Sequence, residues 1–186
     1  MRRKHRDGAV IFAPHTSLVI RRTLAVPALV LLLAGCGLSS LVPFRRFTVP
    51  SESMQPTIMA SAVIMVRTTD EYAPRRGDVI VFDAPAYWHD GRSGLSHVSR
   101  VIGVPGAEVE CCDASGRLLV DGAPLEEPYL AESPASRLRF QIRVPQGRIW
   151  VMSDNRDVAL DSRSHRGGGG DGTIAVSDVI GVVDLS

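Results

Sequence analysis

An uncharged apolar run near the N-terminus restricts what this chain can fold into more than any other feature. The run extends from Leu24 to Val42 and contains no Asp, Glu, Lys or Arg. At about 1.5 Å of rise per residue, a helix of this length matches a bilayer hydrocarbon core roughly 30 Å thick. We therefore predict a transmembrane segment over residues 23–43, which leaves room among the 186 residues for one globular domain.

The charges that precede this run predict its orientation. The stretch MRRKHR at 1–6 is basic, and Arg21 and Arg22 stand just before the apolar segment. Basic residues concentrate on the cytoplasmic side of a membrane span. We therefore expect residues 1–22 to form a cytoplasmic N-terminus and residues 44–186 to form the extracytoplasmic domain of a single-pass protein in the cell membrane.

The same segment allows other interpretations. Basic residues followed by an apolar run and small residues also describe a cleavable export signal. The stretch LAGC at 33–36 resembles a bacterial lipobox, whose cysteine, here Cys36, is lipidated and becomes the mature N-terminus. The apolar run continues beyond Cys36, which favours the uncleaved span. The span and the lipid anchor both place the globular part outside the cytoplasm and attached to a membrane.

Charge and cysteine content exclude several classes of protein. Lys+Arg 21 against Asp+Glu 20 gives a net charge of +1, which leaves no basic field for binding nucleic acid. The cysteines at 36, 111 and 112 are too few for a disulfide framework and are not spaced for zinc. Because adjacent cysteines miss the usual disulfide geometry, we expect Cys111 and Cys112 to be free thiols on a strand or hairpin.

The chain after the apolar run has a strand-and-turn pattern. Segments rich in β-branched residues recur between turn signals, and no stretch beyond residue 60 shows a helical period of apolar residues. We therefore predict a mainly β domain of antiparallel strands. Residues 87–96 are expected to form a polar hairpin loop with two exposed aromatic side chains. The predicted strand segments are 61–69, 77–85, 96–104, 107–113, 117–125, 147–154 and 179–185.

Four short stretches in sequence, following a membrane span, resemble the type I signal peptidases of bacteria. Each stretch alone is weak, but their order and spacing together are specific, and the resemblance covers about residues 20–184. The hairpin sequence CCDASGRLLVDGAPLEEPY at 111–129 is similar to actinobacterial members of the family. The four stretches are PSESMQPTI at 50–58, RRGDVIVF at 75–82, SRVIGVPG at 99–106 and SDNRDVALDSR at 153–163.

The resemblance implies a membrane-tethered serine protease of mainly β fold that cuts signal peptides from exported preproteins. It implies that Ser53 is the nucleophile and that the Ser51 hydroxyl helps the Ser53 backbone N–H to form the oxyanion hole. The implied partner is an extended segment with small residues at the first and third positions before the cut, presented at the bilayer surface. The resemblance implies no metal or nucleotide cofactor, and the sequence contains no ligand cluster that suggests one.

The sequence departs from the family pattern at the general base. The family's lysine corresponds to Ser99, and the only lysine in the chain, Lys4, is predicted to lie across the bilayer. The fourth stretch also has Ser153 in place of the usual glycine and Ala159 in place of a serine that holds the lysine. A serine hydroxyl is a weak nucleophile until a base takes its proton. Because Ser99 stands at the lysine position and Lys4 is predicted to lie across the bilayer, a catalytic Ser-Lys pair is excluded.

His97 is the candidate replacement for the missing base. If residues 96–103 form a strand, His97 and Ser99 face the same side but lie roughly 6.5 Å apart along it. His89 and His165 fall in predicted loops and match no family position. Two hypotheses stay open: a signal peptidase that uses another base, with His97 as the candidate, and an inactive homologue that binds signal peptides or a membrane partner.

Overall fold

The fold described below belongs to the unit that begins at Val42. The predicted cytoplasmic N-terminus, residues 1–22, and the predicted span, residues 23–43, lie outside the described residues. Among the described residues, no helix is long and apolar enough to cross a membrane. The computed structural model describes residues 44–88, 94–130, 134–167 and 170–185.

Strands joined by turns make up most of the described chain. Two 3-10 helices of three residues each, Ala86–Trp88 and Val176–Asp178, interrupt them. The strands are β1 Phe44–Thr48, β2 Val63–Thr68, β3 Val79–Asp83, β4 Ser96–Gly103, β5 Glu108–Cys111, β6 Leu118–Val120, β7 Ala123–Pro124, β8 Phe140–Arg143, β9 Arg148–Met152, β10 Arg166–Gly167, β11 Gly170–Asp171, β12 Ile174–Ala175 and β13 Val179–Val183.

These strands form a seven-stranded sheet, a four-stranded sheet and a two-stranded hairpin. The large sheet has the order β1-β2-β13-β3-β4-β9-β12, and the smaller one has the order β7-β6-β5-β8. Every neighbouring pair in both sheets is antiparallel. The prediction of a mainly β, antiparallel domain is therefore confirmed.

Strand β3 is the wall between two hydrophobic clusters of the large sheet. Ile80 and Phe82 pack into one cluster, whereas Val79 and Val81 pack into the other. Successive side chains of a strand point to opposite faces, so β3 is covered on both sides. This explains why its sequence is a continuous apolar run rather than an alternation of apolar and polar residues.

The structure corrects the prediction for the neighbouring cysteines. Cys111 and Cys112 form a disulfide rather than two free thiols, and their Cα atoms lie 3.0 Å apart. The peptide bond between them is cis. The prediction assumed the usual separation of disulfide-linked Cα atoms, which applies to residues that are not neighbours in the chain.

The structure also corrects the prediction of two exposed aromatic side chains at 87–96. Trp88 is buried, with its ring edge-on to Phe82 and stacked on His165 at a centroid distance of 4.1 Å. Tyr87 is half-buried, and its hydroxyl donates a hydrogen bond to the carbonyl of Thr173. These partners are distant in sequence, so the local polar composition of the loop did not reveal them.

Candidate active site

The turn that carries Ser53 follows the edge strand β1 and is anchored by a buried side chain. Met54 is fully buried in a hydrophobic cluster that also contains Val49 and Ile58. The amide of Ile58 donates to the carbonyl of Met54 at 2.9 Å, which closes the turn. Ser53 itself is half-buried. An apolar anchor directly after the serine therefore fixes the position of its backbone.

A second segment ties the same turn to the rest of the site. The backbone N–H of Asn155 donates to the carbonyl of Ser53 at 2.9 Å, and the Asn155 side-chain amide donates to the carbonyl of Glu52 at 3.2 Å. Asn155 belongs to the fourth of the stretches that resemble the signal peptidases. The structure thus joins the first and fourth stretches through hydrogen bonds to the serine turn.

Ser51 and Ser53 are in direct hydrogen-bond contact. Their Oγ atoms lie 3.0 Å apart, and either hydroxyl can be the donor. A hydroxyl in this position can donate to negative charge that develops on an acyl group at Ser53 Oγ. The local arrangement is therefore compatible with a nucleophile and a neighbouring oxyanion donor.

Both serines lie in a groove of about 360 Å³. Its walls combine apolar side chains with hydroxyl groups and one imidazole, and none of the described lining residues is Asp, Glu, Lys or Arg. His97 lines the same groove as Ser51 and Ser53. The lining residues are Phe47, Thr48, Val49, Pro50, Ser51, Ser53, Ile64, Val81, Ser96, His97, Val98, Ser153, Val158 and Leu160.

Ser99, at the position where the resemblance implies a lysine, is a buried neutral group. Its side chain is 2% exposed, and its Oγ lies 2.8 Å from the Oγ of Ser153. Ser153 lines the groove, and its backbone N–H donates to the Asp161 carboxylate at 3.0 Å. Ala159 is also buried and supplies only a methyl group. Two mutually hydrogen-bonded hydroxyls therefore occupy this position, and neither is a base at neutral pH.

The His97 ring is held by aromatic neighbours on the large sheet. Its centroid lies 5.9 Å from that of Phe82 and 5.9 Å from that of Trp88. His97 is half-buried in β4, where its register partner is Phe82 in β3. His165 stacks on the same Trp88 ring, and the His165 Nδ1 lies 2.8 Å from the carbonyl oxygen of Asp161. His89 lies outside the described residues.

Buried ion pairs support the segment that follows β9. Arg100 pairs with Asp154 at 2.6 Å, and both side chains are buried. Burial lowers the pKa of Arg100, but the hydrogen bond to Asp154 and the negative charge of that carboxylate together outweigh this effect, so the pKa lies above its ordinary value. The guanidinium carbon of Arg100 also lies 3.8 Å from the ring centroid of Tyr129. The arginine remains charged in a buried position beside the serine turn.

Two further ion pairs extend this support. Arg163 pairs with Asp161 at 2.8 Å, and Arg156 pairs with Glu127 at 2.6 Å, in each case between buried side chains. Arg156, Asp161 and Arg163 belong to the stretch at 153–163 that resembles the signal peptidases. The sequence did not indicate Glu127, because an acidic residue on a hairpin is normally exposed and its burial depends on a distant arginine.

Metal-ligating side chains do not gather anywhere in the described ranges: no group of three or more His, Cys, Asp or Glu residues is arranged to hold a metal ion there.

Comparison with known proteins identifies the family. The family described as "Signal peptidase, peptidase S26" matches residues 20–186. The chain is 34% identical over 191 residues to a probable signal peptidase I of Mycobacterium leprae, covering 74% of this chain and 66% of that protein. It is 32% identical over 174 residues to signal peptidase I U of Bacillus subtilis, covering 88% of this chain and 86% of that protein. The chain belongs to the peptidase S26 family of signal peptidases.

The mycobacterial relatives are longer than this chain. The match covers just under two thirds of the Mycobacterium leprae protein, at 66%, and 64% of a signal peptidase I of Mycobacterium tuberculosis. Among solved structures, a signal peptidase I of Enterococcus faecalis is 30% identical, with a TM-score of 0.46 and coverage of 61% of this chain and 98% of that chain.

Proposed function

We propose that this protein is a membrane-attached serine endopeptidase of the signal peptidase I type. Its substrates are exported preproteins with small residues at the first and third positions before the cut. The observation that carries the proposal is Ser53, held on an anchored turn in hydrogen-bond contact with Ser51 at an uncharged groove. Membership of the S26 family supplies the reaction class.

The proposed reaction is acyl transfer through Ser53. Its Oγ forms a bond to the scissile carbonyl carbon, the amide C–N bond breaks, and the Ser53 proton passes by way of the base to the leaving amine. Water then attacks the acyl-enzyme ester, which releases the new carboxylate and returns the proton to Ser53. The Ser51 hydroxyl and the Ser53 backbone N–H stabilise the oxyanion in both steps.

We assign the role of base to His97. Imidazole accepts protons near neutral pH, and His97 lines the same groove as Ser53. Its ring packs against Phe82 and Trp88, so the assignment requires the imidazole to turn from these rings towards Ser53 for the proton transfer. The hydroxyl pair of Ser99 and Ser153 is neutral and cannot replace a lysine in this role.

A second candidate function rests on the same hydroxyl pair. Ser99 is buried and hydrogen-bonded, so the position of the family's lysine is filled without a base. This observation favours a homologue that binds signal peptides, or a membrane partner, without cutting them. The intact serine turn and its contact with Ser51 favour retained cleavage, which is why we propose the peptidase as the principal function.

We further propose that the protein is single-pass in the cell membrane. Residues 1–22 would lie inside, 23–43 would span the bilayer, and 44–186 would lie outside. The charge asymmetry around the apolar run supports this topology. Intact mass measurement on the membrane fraction distinguishes it from a lipoprotein, because lipidation would yield a mature chain that begins at a modified Cys36.

The experiment that separates the two functions uses the full-length protein purified in detergent and a preprotein with an Ala-x-Ala site. The peptidase proposal predicts cleavage by the natural protein and a loss of at least about 100-fold with His97→Ala, as expected for a general base. Cleavage that appears only after Ser99→Lys would instead support the binding function. Unchanged cleavage with His97→Ala would exclude His97 as the base.

A further inference from the structure

Two exposed apolar side chains stand beside the nucleophile turn. Val158 is 55% exposed and Leu160 is 69% exposed, and both line the groove that contains Ser53. Neither residue is accounted for by the serine chemistry or by the ion pairs described above. Apolar surface of this kind at a substrate groove gains free energy when a ligand covers it.

The segment that carries these side chains is fixed at its buried end and has an exposed ion pair at the other. Asp157 pairs with Arg137 at 3.0 Å, and the fully buried Asp161 pairs with Arg163 at 2.8 Å. Ala159, between Val158 and Leu160, is buried. The chain therefore turns Ala159 inward and presents its two neighbours to the groove from a held backbone, which lowers the entropy cost of contact with a ligand.

The remainder of the groove limits the chemistry of its occupant. Ile64, Val81 and Val98 supply apolar walls, and the described lining contains no ionisable side chain other than His97. A charged group of a substrate would lose water here without gaining an opposite charge. An apolar group would not pay this desolvation cost, and it would cover Val158 and Leu160.

We propose that Val158 and Leu160 are specificity-determining residues that contact an apolar side chain of the substrate. The occupant is an extended peptide segment, and the selected side chain is next to, and distinct from, the two small residues of the cleavage motif. The inference rests on the proposed function, because it takes the groove around Ser53 to be the peptide-binding site.

The expected effect is a change in selectivity. A hydrophobic contact of one or two methylene groups discriminates by roughly tenfold to 200-fold. We therefore expect the natural protein to prefer Leu over Ser by about tenfold at one substrate position. Leu160→Ser or Val158→Ser should reduce that preference.

The test uses full-length protein in detergent and synthetic peptides with one Ala-x-Ala site. Each peptide carries a single Leu or Ser at one of the positions within three residues of that motif. The matched control is Leu138→Ser, because Leu138 is 54% exposed and is not among the described lining residues of the groove. The control should keep the natural preference. Equal loss of preference in the control would overturn the proposal.

Peptide binding separates failure of this inference from failure of the proposed function. Affinities of the same peptides for Ser53→Ala protein, measured by fluorescence anisotropy, do not depend on cleavage. A Leu preference in binding that falls with Leu160→Ser supports the inference even if the natural protein cuts none of the peptides. Equal binding of the Leu and Ser peptides at every position would overturn it.

Discussion

Ser99 and Ser153 are hydrogen-bonded to each other at a buried position. Their Oγ atoms are 2.8 Å apart and Ser99 is 2% exposed, so each hydroxyl has a partner and the pair itself is uncharged. A lysine in this place must be desolvated to remain neutral, whereas the hydroxyl pair has no charge to desolvate. The replacement of lysine by Ser99 is thus compatible with a stable fold. It leaves this position without a base, which is why we propose His97 for that role.

Replacement of Ser51 by alanine tests the oxyanion role at the residue scale. Loss of one oxyanion donor typically lowers kcat by about 100-fold to 1,000-fold. We expect Ser51→Ala to show this loss with little change in KM, measured by steady-state cleavage of an Ala-x-Ala peptide. Ser96→Ala is the control, because Ser96 lines the groove but its hydroxyl bonds Asp83. A kcat unchanged by Ser51→Ala would remove Ser51 from the mechanism.

Tyr129 gives the fold a dependence on alkaline pH. Burial, together with the negative charge of Glu127, raises the pKa of Tyr129 above its ordinary value of 10.0. The unfolded chain therefore loses its phenol proton first, and deprotonation favours unfolding. The contribution of Tyr129 to stability is complete below about pH 10, and it is lost as the pH rises towards the folded-state pKa.

Denaturant unfolding between pH 8 and 11 measures this effect. The free energy of unfolding should fall above about pH 10, and Tyr129→Phe should make the fall shallower. Tyr72 has a pKa raised by burial and by Asp78, so part of the slope should remain in the variant. With Lys4 as the only lysine, few other groups titrate in this range. Identical slopes for the two proteins would contradict the assignment.

At the scale of elements, β4 depends on a close approach at Gly103. A Cβ added there would lie 2.7 Å from Val109 Cγ2 and 2.8 Å from Val144 Cγ2. Val109 and Val144 belong to the core cluster between the two sheets' buried faces, where they cannot move freely. The glycine at the end of the RVIG sequence therefore allows β4 to pack closely against Val109 and Val144.

Gly103→Ala should lower the free energy of unfolding by about 1–3 kcal/mol, the usual cost of overpacking a core. Val109→Ala removes one of the two methyl contacts, so the double variant should be less destabilised than the sum of the two single variants. Urea unfolding of all four proteins completes the cycle. Strict additivity would show that the added methyl does not meet Val109.

The seven predicted segments contain eight of the described strands, and the other described strands do not follow from local sequence. β2 has the sequence VIMVRT, whose β-branched residues predict a strand, although only the structure shows that Ile64 and Val66 are buried and Val63 and Met65 exposed. β1 has the sequence FRRFT, whose two arginines conceal the pattern, and it becomes a strand by pairing with β2. β8 is a strand because it pairs with β5, a partner that lies far away in the sequence.

The candidate site, like the fold, could be predicted from the sequence only in part. The order of the sequence stretches indicated Ser51 and Ser53, and the structure brings them into hydrogen-bond contact. Sequence alone did not reveal the disulfide between Cys111 and Cys112, or the stack of Trp88 on His165. These features depend on backbone geometry and on long-range contacts that local composition does not encode.

At the scale of the whole molecule, an anchored serine turn lies at a neutral groove in a chain with a predicted membrane attachment. The turn is held from three directions: by the buried Met54, by Asn155, and by the ion pair of Arg100 and Asp154 behind it. These supports preorganise Ser53 at the groove in the absence of substrate.

The central claim, that Ser53 is the nucleophile of a signal peptidase, is tested most directly by cleavage of one preprotein with an Ala-x-Ala site. Full-length natural protein and Ser53→Ala protein are compared in detergent, and product N-termini are read by mass spectrometry. The account predicts a single new N-terminus directly after the second alanine, produced by the natural protein and absent with Ser53→Ala. The same product at the same rate from both proteins, or no product from the natural protein, would contradict it.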